Sequence, residues 1–194
     1  MSEFWLYVKL GLYHVLDWQA YDHILFLILL TIAYTFDNWK RILILVTFFT
    51  LGHTASLFLA AYDVVSVNSK LVEFLIPVTI LAAAVFNVFT AGKSANKNKI
   101  GVLYATTIFF GLIHGLGFST YFDAISSNVS SKIMPLIEFA LGIELAQLIV
   151  VVIVLVISFI IQTIFRFSKR DWILVVSSII IGMVIPMLIS NKIW

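Results

Sequence analysis

The stretch HVLDWQAYDHILFLILL, residues 14–30, decides how this chain is read. Its first ten residues hold two histidines and two aspartates, and its last seven are uniformly apolar. Such an apolar run belongs in a bilayer, where ionisable groups are costly and ordinarily mark a site or a pathway. What four polar groups do at its edge depends on the rest of the chain.

The 194 residues are 62% hydrophobic and 11% charged, with a mean hydropathy of +1.09. Soluble domains are about 45–50% apolar and about a quarter charged. Lipid is therefore the solvent. A formal charge of +2 gives no electrostatic attraction to nucleic acid, which is excluded as a partner. The chain has no cysteine, so disulfides and thiolate ligands are excluded as well. The N-terminus offers Glu3 where a leader would be basic, and no small-residue cleavage site follows, so no cleavable leader is expected.

Six segments have the roughly 20 apolar residues a transmembrane helix needs, about 18–36, 42–62, 71–91, 100–122, 133–165 and 172–189. The fold class expected is all-α, a polytopic bundle of six transmembrane helices, with residues 1–194 forming a single integral membrane domain. The fifth segment is overlong, so it is either tilted or projects beyond Pro135. Short loops leave no linker, and no internal repeat supports an inverted-repeat transporter. Residues 1–17 are too few to span and are expected to form an amphipathic helix lying on the outer surface.

Basic residues give the orientation. Lys40, Arg41, Lys93, Lys97, Lys99, Arg166, Lys169 and Arg170 follow spans one, three and five, against Lys9, Lys70, Lys132 and Lys192 on the other side. The richer side is expected to be cytoplasmic, with both termini outside. Trp5, Trp18, Trp39, Trp172 and Trp194 all fall at interfaces on this map, as an aromatic belt requires.

On the same map His14, Asp17, Asp22 and His23 stand at the outer end of span one. His53 and His114 fall in the outer halves of spans two and four. Glu73 and Glu138 lie near the outer surface, and Glu144 close to mid-membrane. A lone intramembrane histidine is ordinarily a packing residue, but every histidine of the chain sharing one leaflet's depth with these acids points to a common site. Imidazole and carboxylate donors suit zinc, nickel, cobalt, iron or manganese and disfavour copper(I). His23, His53 and His114 can supply three nitrogens, with Asp22 or Glu144 as a fourth ligand or a supporting acceptor. Asp22 and His23 cannot point the same way on a regular helix, unless a helix starts or bends there.

In FFGLIHGLGFS, residues 109–119, Gly111 and Gly115 flank His114 and allow a neighbouring helix to approach closely, while Gly117 adds freedom for a bend. Thr50 and Thr54 bracket His53 and are candidates to orient its ring. Glu144 and Gln147 share one helical face.

The pieces GLYHVL, YDHILFLI, FTLGHTASL, LVEFLIPVTI, FGLIHGLGF and FALGIELAQ, in this order, resemble the second, compact branch of the HupE/UreJ family. The resemblance covers about residues 11–147 and, more loosely, the last span. It implies a bacterial inner-membrane protein associated with nickel or cobalt uptake beside hydrogenase and urease systems; on the charge map above, both termini are then periplasmic. The metal-facing positions it implies are His14, Asp22, His23, His53, His114 and Glu144, with Glu73 and Gln147 in support.

Two functions follow as expectations. One is a permease that captures a divalent ion (nickel, cobalt or zinc) outside and passes it inward, with capture weakening as falling pH protonates the ligands. Below Glu144 only Asn87, Gln147, Thr106, Thr107, Ser158 and Gln162 are polar, so no second ring of strong ligands is visible. The other is an intramembrane zinc hydrolase acting on a lipid or membrane-anchored substrate, with Glu144 or Asp22 as general base. A metal-binding accessory role beside a partner subunit is a third option.

Overall fold

A computed structural model describes residues 3–93, 100–127, 129 and 131–193, so the expectations for Lys97, Lys99 and Trp194 lie outside the described residues. The described residues form seven α-helices: α1 Glu3–Leu16, α2 Asp22–Thr31, α3 Trp39–Ala61, α4 Ser69–Thr90, α5 Ile100–Ile125, α6 Ile133–Thr163 and α7 Lys169–Ser190. No strand occurs among the described residues. Five helices, α3 to α7, are long and apolar enough to cross a membrane. α6 is one continuous helix of 31 residues. Pro135 sits in its first turn, where a missing N–H removes no intrahelical bond.

Two sets of contacts define the ends of the bundle. At one end the Lys132 Nζ donates to Ala61 O (2.8 Å) and Asp123 Oδ1 (2.9 Å), tying the end of α3 and the last turn of α5 to the start of α6. At the other, the Arg170 side chain lies against Gly92, joining the start of α7 to the exit of α4.

Between these ends α3 and α5 lie almost backbone to backbone. A Cβ on Gly111 would strike Phe49 O, one on Gly115 would strike His53 O, and one on Gly52 would strike Ile108 O. The close neighbour expected at the His114 motif is therefore the helix that carries His53. α5 remains helical through Gly117; a Cβ there would come within 2.9 Å of Ile76 Cδ1, so its smallness serves packing against α4. In α4, Pro77 has no N–H to offer the carbonyl four residues back. That carbonyl, Glu73 O, accepts instead from Asn191 Nδ2 at 3.3 Å.

The first expected span is where the structure departs from the sequence map. In place of a helix over 18–36 there is α2, of ten residues. At 1.5 Å per residue it is about 15 Å long, half of a roughly 30 Å hydrocarbon core. The break has a local cause. Asp17 Oδ1 accepts from Gln19 N at 2.8 Å, an Asx-type turn that competes with helix continuation.

α1 departs too. It does not lie alone on a surface, since Tyr7, Val8 and Val15 are buried. Gly11 packs on Phe139 O of α6, and Gly142 on Val8 O. Tyr7 Oη donates to Ile125 O at 3.4 Å, while the His14 ring lies 3.9 Å from that of Phe118. Seven residues forward along α1 match seven back along α5, so α1 descends from the Lys132 end. α2 continues toward the Arg170 end, where Asn87 Nδ2 near the close of α4 donates to Leu29 O at 2.8 Å. α1 and α2 thus run in series, with the bends of 17–21 between them.

Candidate metal centre

At that break the four histidines of the chain meet, from four different helices. Ring centroids are 4.6 Å apart for His14 and His23, 5.6 Å for His14 and His53, 5.7 Å for His23 and His53, and 5.1 Å for His23 and His114. His53 is 0% exposed, His114 1% and His23 3%. Phe26, Phe49, Phe118 and Phe139 wall the cluster, with Phe118 stacked on Phe139 at 4.9 Å. A wall of this kind keeps the local dielectric low and strengthens any charge interaction inside it.

The hydrogen bonds around the rings are few and directional. Asp22 opens α2, and its Oδ1 accepts from His23 N at 2.9 Å and meets His23 Nδ1 at 3.1 Å. The helix start is what lets these neighbours face each other. With Nδ1–H donated to the carboxylate, His23 Nε2 is left as a lone pair facing the cluster. Thr79 donates its hydroxyl proton to Ile76 O at 2.7 Å, so toward His114 Nε2, 3.5 Å away, it can only accept. That long contact favours the proton on Nε2 and the lone pair on His114 Nδ1.

What remains is unusual for a protein interior. His14 Nε2, His23 Nε2, His114 Nδ1 and both nitrogens of His53 are buried without a hydrogen-bond partner. Buried polar atoms are ordinarily paired, and each one left alone costs free energy. Five such nitrogens in one place form a donor set without an acceptor.

Among the described residues two overlapping groups can hold a metal ion: His14, His23 and His53, and Asp22, His23 and His114. Within each group the ligand atoms lie within 4.8 Å of one another. Tetrahedral coordination at about 2.1 Å places ligand atoms about 3.4 Å apart, so the side chains close by about an ångström around an ion. His23 belongs to both groups. A cleft of about 710 Å³, lined by His14, Trp18, Asp22, His23, His114 and Tyr121, leads to them. His53 does not line it and lies behind.

The other candidate residues fall elsewhere. Glu144 is parted from the histidines and bonded across the α3–α6 interface, accepting from Thr47 Oγ1 (2.7 Å) and Thr50 Oγ1 (2.5 Å). Gln147 reaches the same hydroxyl through Oε1 at 3.1 Å. Thr50 is therefore engaged away from His53. Thr54, which lines an apolar groove on the outside of α3, leaves the His53 ring unpartnered as well. Glu73 is exposed, one turn into α4, and belongs to neither histidine group. Sequence reasoning missed Thr47 and Thr79; for Thr47 the signal was its place one turn before Thr50 on the same face.

A family model described as HupE / UreJ protein matches residues 1–191. No curated protein and no solved structure matches the chain.

Proposed function

The chain belongs to the HupE/UreJ family, and from that membership we propose that it is a permease for a divalent transition-metal ion of the nickel, cobalt or zinc class. The observation that carries this is the five partnerless imidazole nitrogens gathered at a cleft that three of the four histidines line. Neutral imidazoles suit these metals, and the family points to nickel or cobalt handling in a bacterial membrane. The ion enters the cleft past Trp18, meets Asp22, His23 and His114, and passes to His14 and His53 while His23 stays bound. One shared ligand lets the ion move without ever being stripped of all its donors.

The topology that supports this route has six crossings, the first made by α1 and α2 in series. Discontinuous helices with a break at the binding site are a recurrent transporter device, because irregular backbone is tolerated where it lines a cavity. The Lys132 end faces the periplasm with both termini, and the end bearing Lys40, Arg41, Lys169 and Arg170 faces the cytoplasm, where basic loops concentrate.

The hydrolase alternative fits the pairing of the acids less well. Its general base was to be Asp22 or Glu144, yet Glu144 is bonded to two threonines outside both histidine groups, and Asp22 pairs with His23 and belongs to the group that would hold the ion. The open cleft is the feature that keeps it in view.

Purified protein in sealed vesicles should accumulate Ni²⁺, Co²⁺ or Zn²⁺, and His53→Ala should abolish uptake. Vesicles that bind the ion on the histidines yet never accumulate it would refute the permease.

A further inference from the structure

Glu144, Gln147, Thr47 and Thr50 form a polar cluster between α3 and α6 that the histidine site does not use. Its hydrogen bonds do not add up. Thr50 Oγ1 carries one proton, but Val46 O (3.2 Å), Glu144 Oε2 (2.5 Å) and Gln147 Oε1 (3.1 Å) all stand within reach of it. Thr47 adds one more proton and gives it to Glu144 Oε1. Gln147 is 0% exposed and its Nε2 has no partner. Turning the amide over lets Nε2 donate to Thr50 Oγ1 and frees the Thr50 proton for Glu144, and it leaves Oε1 as the unpartnered atom. What is left over is then an acceptor, the buried Gln147 Oε1, on the same face of α6 as the Glu144 carboxylate, a combination of oxygens that a cation completes.

Its position is equally specific. Thr50 stands three residues before His53 on α3, so the two are neighbours on one helical surface. Thr47 lies one turn further toward the end of the bundle that carries Lys40 and Arg41. We propose that Glu144, Gln147, Thr47 and Thr50 form a second, oxygen-lined cation site, placed on the inward side of the histidines as the next station for the ion. Carboxylate, hydroxyl and amide oxygens hold borderline metals less tightly than imidazoles do and prefer harder cations such as Mn²⁺. A weaker site behind a tighter one suits onward movement, because conduction needs binding that still permits release. Its role in transport rests on the permease reading; its existence as a site does not.

The test uses the full chain in nanodiscs and two probes, each alone. Co²⁺ reports on the histidines through its visible absorption, and Mn²⁺ reports on the oxygen cluster through loss of its free-ion EPR signal. Wild type should show a Co²⁺ site lost in His53→Ala and a weaker Mn²⁺ site that His53→Ala keeps. Glu144→Gln should weaken Mn²⁺ by at least about tenfold, the scale of losing a charged ligand contact, while Co²⁺ absorption is unchanged. Gln147→Leu, which keeps the carboxylate, should weaken Mn²⁺ by a smaller factor and serves as the second variant should Glu144→Gln misfold. In vesicles, Glu144→Gln should slow Co²⁺ uptake with Co²⁺ binding intact. Mn²⁺ binding that survives both variants would reduce the cluster to a hydrogen-bonded pair, and the site would be abandoned. Loss of Co²⁺ absorption in Glu144→Gln would instead merge Glu144 with the histidines and overturn the second station. Absence of any Co²⁺ site in wild type would sink the permease reading while leaving the Mn²⁺ result to stand or fall separately.

Discussion

Two of the polar knots between helices in this bundle are built on opposite terms. The Lys132 clasp joins α3, α5 and α6 at one end, and its ammonium has both a carbonyl and a carboxylate at bonding distance. The histidine knot joins α1, α2, α3 and α5 deeper in, and five of its nitrogens have nothing. Where every donor meets an acceptor, the group contributes to folding. Where buried donors and acceptors are kept apart, the fold carries a free-energy cost that only a ligand relieves.

That contrast can be broken most sharply at the histidines. His114→Leu, which fills much of the same volume without polar atoms, should lower Co²⁺ affinity by at least about a hundredfold yet leave the melting temperature of the metal-free protein unchanged or higher, because an unpaired buried group is removed. A large drop in melting temperature without metal would show that the rings hold the fold together by themselves. A smaller effect is expected from Asp22→Asn. The amide keeps an acceptor for His23 but loses the charge that holds the ring, so affinity should fall about 10–100-fold, read by Co²⁺ titration. Unchanged affinity would remove Asp22 from the site. The smallest effect belongs to the clasp. Lys132→Met should cost about 1 kcal/mol or less, since the pair is partly exposed, and should leave Co²⁺ affinity alone. A measurable affinity change there would mean the two knots are coupled through α3.

The five long helices were legible because each exceeds the length a membrane demands and carries few charges. The meeting of the histidines was also legible, from their common depth on that map. The break between α1 and α2 was not. A hydropathy window averages over Asp17 and Gln19 and sees only the apolar flanks, whereas the Asx-type turn depends on one side-chain oxygen reaching one N–H. The same limit applies to α1. Its apolar face suited a membrane surface, and the two glycines that seat it on α6, Gly11 and Gly142, lie 131 residues apart, with nothing local to pair them.

Composition and spacing alone determined that this chain lives in lipid and that its histidines share a depth, because burial in a bilayer constrains every residue by the same transfer free energy. Only the tertiary structure decided which polar atoms are paired. Glu144 has the depth of a ligand and the partners of a separate cluster, and Thr47 became visible only as the donor to Glu144. Pairing depends on how each helix is rotated against its neighbours, and that is set by close contacts such as Gly115 on His53 O. A one-dimensional pattern carries depth along a helix axis. It carries almost nothing about rotation between helices.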